Sequence, residues 1–176
     1  MNHPSTILVT GGTGLIGSAL TRLLLGNGYK VIVLSRSAKQ SALPNLSYAI
    51  WDVKKQTIDL AAIQQANYIV HLAGAGVADK RWSATRKKEI IESRTQSSAL
   101  LVKVLKENAN KVEAVISASA IGWYGPDGTI PNPAPFSESD PAATDFLGET
   151  CRLWEASVDP ISAMGKRLVK LRTGLV

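Results

Sequence analysis

The chain carries a single cysteine, Cys151, and only two histidines among its 176 residues. One thiol cannot close an internal disulfide, and so few soft ligands offer no spacing for a structural zinc site, so no metal is expected. No apolar run approaches the roughly 20 residues that a membrane span requires. The N-terminal Met1-Asn2-His3-Pro4-Ser5 has neither a charged start nor an apolar signal core, which leaves a cytoplasmic location as the default expectation. Internal repeats and low-complexity tracts are also missing. With 45% hydrophobic residues, the chain has enough apolar material for one domain over 1–176. Its net charge of +6 suits an anionic ligand. Basic residues crowd between Lys80 and Lys106, where the solvated face of a helix explains them, so nucleic acid and membrane are not expected partners.

Against this plain background one segment stands out. Thr10-Gly11-Gly12-Thr13-Gly14-Leu15-Ile16-Gly17 follows the β-branched run Thr6-Ile7-Leu8-Val9 and opens a helical pattern of Leu15, Ile16, Ala19, Leu20, Leu23 and Leu24. A strand, a glycine-rich turn and a helix in that order are what a dinucleotide pyrophosphate needs. One glycine permits the tight turn, one lets the backbone approach the phosphates, and one lets helix and strand pack closely. Free N–H groups at the helix start then face the anion. A P-loop is excluded, because Ser18-Ala19 stand where Lys and Ser/Thr are required.

Strand-like segments near 6–10, 30–35, 46–51, 67–72, 112–117 and 166–172 alternate with helical patterns near 14–26, 58–66, 83–109 and 144–158. Such alternation predicts an α/β fold, a Rossmann-type doubly wound parallel sheet of six strands. The stretch 123–141 holds five of the eight prolines and reads as a long irregular loop. The last predicted strand ends four residues before Val176. A βαβ series needs something to cover its final strand, so a longer protein with a further C-terminal substrate subdomain is expected.

A second absence bears on the cofactor. An acidic residue at the end of the second strand would accept bonds from an adenosine ribose, whereas an arginine there accommodates a 2′-phosphate. Here the stretch reads Leu34-Ser35-Arg36-Ser37-Ala38-Lys39, without a carboxylate. Arg36 can pair with phosphate in a bidentate way, Ser35 can donate and Lys39 adds charge, so NADP is favoured over NAD. Asp52, after the third strand, suits either the adenine amino group or a turn cap. His71 lies on a predicted buried strand and reads as a satisfied core histidine, and Cys151 as an inert helix thiol. Trp82 and Trp123 fit either a ligand floor or core packing.

Taken together, the T-G-G-T-G-L-I-G turn, His71-Leu72-Ala73-Gly74-Ala75-Gly76 and Ser117-Ala118-Ser119-Ala120-Ile121-Gly122-Trp123-Tyr124-Gly125 resemble the extended or atypical branch of the short-chain dehydrogenase/reductase superfamily. Ala78-Asp79-Lys80-Arg81-Trp82, Glu92-Ser93-Arg94 and Leu171-Arg172-Thr173-Gly174 resemble its epimerase-family, nucleoside-diphosphate-sugar epimerase-like members. The resemblance implies that Gly11, Thr13, Gly14, Leu15, Ile16 and Gly17 line the pyrophosphate and that Asp52 and Val53 meet the adenine. It places Leu72, Ala73 and Gly74 on the ribose and nicotinamide side, Arg94 close to the cofactor, and Thr173 near the nicotinamide ring. It also implies a homodimer through the helix 83–109.

Superfamily oxidoreductases generally use a Ser, and a Tyr and Lys spaced Y-x-x-x-K on the following helix; the tyrosine transfers a proton and the lysine lowers its pKa. In this chain Ser119 remains, but the helix has no such pair, and Leu147 and Cys151 take its positions when Glu155 is the anchor. The expected catalytic set is therefore Ser119, with Tyr124 as the acid and Lys80 or Arg94 as the cation beside it. Two functions fit: an NADP-dependent oxidoreductase or sugar-nucleotide epimerase/dehydratase-like enzyme acting on a small molecule, or an NADP(H)-binding regulatory module without chemistry.

Overall fold

The computed structural model describes residues 4–128 and 134–174. Strands β1 (Thr6–Thr10), β2 (Lys30–Ser35), β3 (Leu46–Asp52), β4 (Thr57–Ile58), β5 (Tyr68–His71), β6 (Ala114–Ala120) and β7 (Arg167–Thr173) form one sheet in the order β4-β3-β2-β1-β5-β6-β7. All neighbours are parallel except β3 and β4. Helices α1 (Leu15–Gly26), α2 (Leu60–Gln65), α3 (Ala84–Glu107) and α4 (Phe146–Val158) supply the crossovers. The strand order reverses direction at β1, between β2 and β5, and such a switch point opens a crevice at the carboxyl ends of the strands.

The two faces of the sheet are covered unequally. Ile7, Val9, Val31 and Val33 point to one face, where Leu24 and Leu25 of α1 cover them. Leu8, Ile32, Leu34, Ile69 and Val115 point to the other, against Ile63 of α2, Leu100 and Leu101 of α3 and Val158 of α4. Near-continuous burial of β1 and β2 is what a sheet covered on both sides demands. The helices begin at side-chain caps where the chain provides them: Asp59 accepts from Ala61 N–H, Ser83 from Arg86 N–H and Asp145 from Gly148 N–H.

Two expectations need correction. The sequence predicts six strands and seven are present among the described residues, because Thr57–Ile58 folds back antiparallel on Trp51 and Asp52 through a turn in which Gln56 has φ +53°. The fifth expected strand, 112–117, is displaced to Ala114–Ala120, so Ser119 lies inside a strand and not in the loop after it. Val115, Ser117 and Ser119 alternate as the buried residues, and pairing with β7 continues to Ala120 opposite Thr173. The stretch 123–141 carries no strand or α-helix among its described residues, and 129–133 of it lie outside them.

Candidate functional site

Every parallel strand ends on the same edge, and the expected nucleotide-binding residues collect there. Gly11 follows β1 with φ +68°, and a Cβ on it would stand 2.9 Å from the Leu72 carbonyl carbon. Gly12 would bring a Cβ to 2.8 Å from the Val33 side chain. At Gly17 a Cβ would run into Gly11 O and come within 2.6 Å of Gly12 Cα. The three glycines thus hold the turn against β5, β2 and its own helix, a cradle that any side chain would fill. Gly14 N–H donates to Gly11 O (3.0 Å) and Gly14 caps α1 with no side chain, while the first turn contains no carboxylate. Thr13, Gly14, Leu15 and Ile16 are exposed around this helix start, whose amides lack helical acceptors and carry the positive end of the dipole.

Beneath the turn lies a closed polar chain. Thr10 Oγ1 accepts from Leu72 N–H (3.0 Å) and Ala73 N–H (3.1 Å) and sits 2.7 Å from His71 Nδ1. With both amides donating to it, the Thr10 hydroxyl gives its own proton to Nδ1, so His71 carries its hydrogen on Nε2, towards Ser98 Oγ (3.2 Å). His71 is fully buried, and burial pushes its pKa down to about 4. It is a neutral core residue that fixes the end of β5, as its strand pattern implied.

Leu72 and Ala73 therefore stand at the switch point, with Gly74 exposed beside them. The buried Arg94 guanidinium packs where a Gly74 Cβ would be (3.1 Å to Cζ), donates to Ala75 O (3.0 Å) and lies 4.8 Å over the Trp154 ring. Burial lowers its pKa from the ordinary arginine value. At the ends of β2 and β3, Arg36 and Lys39 are exposed, Lys39 Nζ lying 5.9 Å from the Tyr48 ring centroid. Ser35 is buried and its hydroxyl accepts from Ser37 N–H (3.4 Å), so it supports the loop that carries Arg36. Asp52 Oδ1 accepts from Lys54 and Lys55 N–H, each at 3.0 Å; it caps the turn beside Val53 and retains Oδ2 towards Lys55 (3.9 Å).

The chemistry-bearing end lies at β6 and β7. Ser119 Oγ donates to Glu155 Oε1 (2.7 Å), and Arg172 grips the same carboxylate through Nε (2.8 Å) and Nη2 (3.2 Å). Arg172 Nη1 donates to Tyr124 Oη (3.0 Å) and Glu138 O (3.1 Å), while its guanidinium lies 3.8 Å over the Trp123 ring. Thr173 Oγ1 donates to Ser119 O (3.1 Å). Burial pushes the Glu155 carboxyl up, but the bonds from Arg172 and Ser119 outweigh it and hold it below the usual range. Arg172 is raised, first by its bond to Glu155.

The expected catalytic residues have the following partners. The cation on Tyr124 is Arg172: Arg94 is committed to Ala75, Ile90 and Trp154, and Lys80 is exposed on the segment before α3, where its charge acts on Glu89. Ser119 is 1% exposed and donates to Glu155, so its hydroxyl is engaged within the protein. Leu147 and Cys151 do face the end of β6, where Leu147 Cβ would lie 3.1 Å from a Cβ on Gly122 and Cys151 Sγ is 3.6 Å from Ala120 O. Burial raises the Cys151 thiol pKa, which suits an inert core residue. Trp82 and Trp123 both sit near this edge; Trp82 is exposed, stacked edge-on against Phe146 at 5.0 Å, and Trp123 is half-buried under Arg172. Glu155 and Arg172 had no expected role, although opposite charges on the inward faces of a helix and a strand are a readable signal of a buried pair.

Among the described residues no group of three His, Cys, Asp or Glu side chains is placed to hold a metal ion, and no helix is long and apolar enough to cross a membrane. The profile of the NAD dependent epimerase/dehydratase family matches residues 7–146. Epimerase family proteins of Staphylococcus saprophyticus and Bacillus subtilis are each 31% identical, over 96% and 97% of this chain and 54% of their own lengths. The chain thus spans about half the length of the curated relatives it matches. Among solved structures, a nucleoside-diphosphate sugar epimerase from Corynebacterium glutamicum is similar at 33% identity with a TM-score of 0.74, over 96% of this chain and 33% of that one. The human epimerase family protein solved with NADPH is similar at 28% identity with a TM-score of 0.73, over 95% of this chain and 52% of that one.

Proposed function

The chain belongs to the NAD dependent epimerase/dehydratase family, and on that premise we propose that it binds NADP(H) and serves an oxidoreductase or sugar-nucleotide epimerase/dehydratase-like reaction on a small substrate. The observation that carries this reading is the side-chain-free cradle of Gly11, Gly12 and Gly17 under an uncapped, acid-free helix start, set against Leu72 at the switch point of the sheet. The helix-start amides around the exposed Thr13 to Ile16, with Gly17 beneath them, hold the pyrophosphate, and Leu72 to Gly74 with Thr173 flank the nicotinamide half. Arg36 and Lys39 take the 2′-phosphate, whose two charges a guanidinium matches and a carboxylate would repel. Asp52 Oδ2 and Val53 border the adenine. A bound nicotinamide supplies hydride chemistry at this edge.

Within the chain itself, Tyr124 is the group that holds a proton at the site, at Oη, with Arg172 as its cation. A second reading, a coenzyme-binding module without turnover, is favoured by Leu147 and Cys151 standing in the positions of the superfamily's Tyr and Lys. Calorimetry separates the first requirement from the rest. NADPH should bind at least about tenfold tighter than NADH, about 1.4 kcal/mol, and Arg36→Asp should reverse that order; equal affinity in the unaltered chain would refute the assignment of Arg36. An NADPH-oxidation panel of carbonyl compounds and sugar nucleotides then distinguishes enzyme from module, and full activity in Tyr124→Phe would remove the acid.

A further inference from the structure

We infer that Arg172, clamped by Glu155, is the positioning residue for the Tyr124 hydroxyl, and that Ser119 belongs to this clamp as a ligand of Glu155 and not as a contact for substrate. The inference rests on the reading of Tyr124 as the proton-bearing group of the site. Its geometric origin is the register of the last two strands: Ser119 stands opposite Arg172, so both side chains leave the sheet on the face that α4 covers with Glu155. A lysine four residues after a helix tyrosine cannot act here, because Cys151 fills that place. The cation reaches the hydroxyl instead from the neighbouring strand, 48 residues away in sequence.

Each degree of freedom of the guanidinium is fixed. One edge, Nε and Nη2, bonds to Glu155, the Trp123 ring sets its plane at 3.8 Å, and Nη1 is left to point at Tyr124 Oη and Glu138 O. Glu155 is 4% exposed and accepts from Ser119 as well as from Arg172, with Lys170 Nζ 3.6 Å away. A buried carboxylate so satisfied keeps the guanidinium charged and stationary. The phenol ring is held from outside by Phe136, at 5.1 Å between centroids. Since Oη accepts from Arg172, its own hydrogen must point away from that guanidinium. The clamp thereby fixes the phenol oxygen at the carboxyl edge, and the same cation faces that oxygen when its proton leaves.

The alternative is that Arg172 is only a flat packing piece between Trp123 and Tyr124. Carbon-13 NMR of the chain labelled at tyrosine Cζ distinguishes the two, with the Tyr124 resonance assigned as the one lost in Tyr124→Phe. Arg172→Lys keeps a charged donor but cannot stack as a plane; Arg172→Gln keeps a flat neutral group. The inference requires the Tyr124 Cζ shift to stay near the original in Arg172→Lys and to move clearly in Arg172→Gln. The reverse order, or no movement in either, overturns it. Should Arg172→Gln not fold, Glu155→Gln serves: weakening the grip must move Tyr124 Cζ while the other tyrosines stay, and an unmoved Tyr124 likewise overturns it. NADPH calorimetry on the same unaltered sample tests the nucleotide reading separately, since a missing heat removes that reading without touching the Arg172–Tyr124 bond.

Discussion

A single methyl group is enough to probe the mouth of the first crossover. Gly17→Ala would drive a Cβ into Gly11 O, and backbone on both sides leaves nowhere to shift. Overpacking of this kind costs about 1–3 kcal/mol, so chemical denaturation should show that loss and NADPH binding should fall with it. Gly26→Ala is the matched control, because nothing lies within 4 Å of its Cβ position at the end of α1. That change should raise stability by about 0.5–1 kcal/mol and leave nucleotide binding unaltered. His71 makes a third test at the same scale. Its folded pKa of about 4 lies below the unfolded 6.5, so the unfolded chain binds the extra proton as pH falls through that interval. Stability should be intact above pH 6.5 and decline towards pH 4 by about 3 kcal/mol. The lowered Glu155 carboxyl acts in the same direction at still more acid pH. Urea midpoints across this range would check it, and a flat profile between pH 6.5 and 4 would show that His71 is not buried neutral.

At the scale of elements, β6, α4 and β7 meet at the Glu155 carboxylate, which takes Ser119, Arg172 and Lys170, and its main pair with Arg172 should behave asymmetrically. Arg172→Met leaves the buried Glu155 with only the Ser119 hydroxyl and the partly exposed Lys170 at 3.6 Å, a loss towards the lower end of roughly 3–5 kcal/mol. Adding Glu155→Leu removes the poorly paired charge and should recover part of that stability in the double variant, offset by the charge-assisted bond that Ser119 loses. Strict additivity of the two changes would show that they do not interact. The same elements mark where sequence was legible and where it was not. The mouth of the first crossover could be read because its chemistry is contiguous, with strand, glycines and helix within Thr6–Gly26, and Arg36 follows the next strand directly. The clamp could not, since Ser119, Tyr124, Glu155 and Arg172 meet only through the β6–β7 register. The run Ser117-Ala118-Ser119-Ala120 gave no strand signal of its own either, because small residues become a strand there only by pairing with β7. The two residues of β4 are too short a pattern to carry any periodicity.

For the whole molecule, the carboxyl edge is where the two differently covered faces of the sheet meet. The α1 side rests on one helix, whereas α2, α3 and α4 share the opposite side. A nucleotide laid along that edge contacts the ends of β1, β2, β3 and β5 at once, so it bridges both faces and should stabilise the fold as a unit. Binding to the folded chain alone adds RT ln(1 + [L]/Kd), about 2.7 kcal/mol at a concentration one hundred times Kd. For a chain of this size that corresponds to a rise in Tm of roughly 5–10 °C. NADPH should produce this rise, NADH at the same concentration a smaller one, and Arg36→Asp should invert the two because a carboxylate at the end of β2 repels the 2′-phosphate and accepts the ribose hydroxyl. Equal shifts from NADPH, NADH and inorganic pyrophosphate would instead mean that the edge senses negative charge alone, as a chain of net charge +6 does with any polyanion.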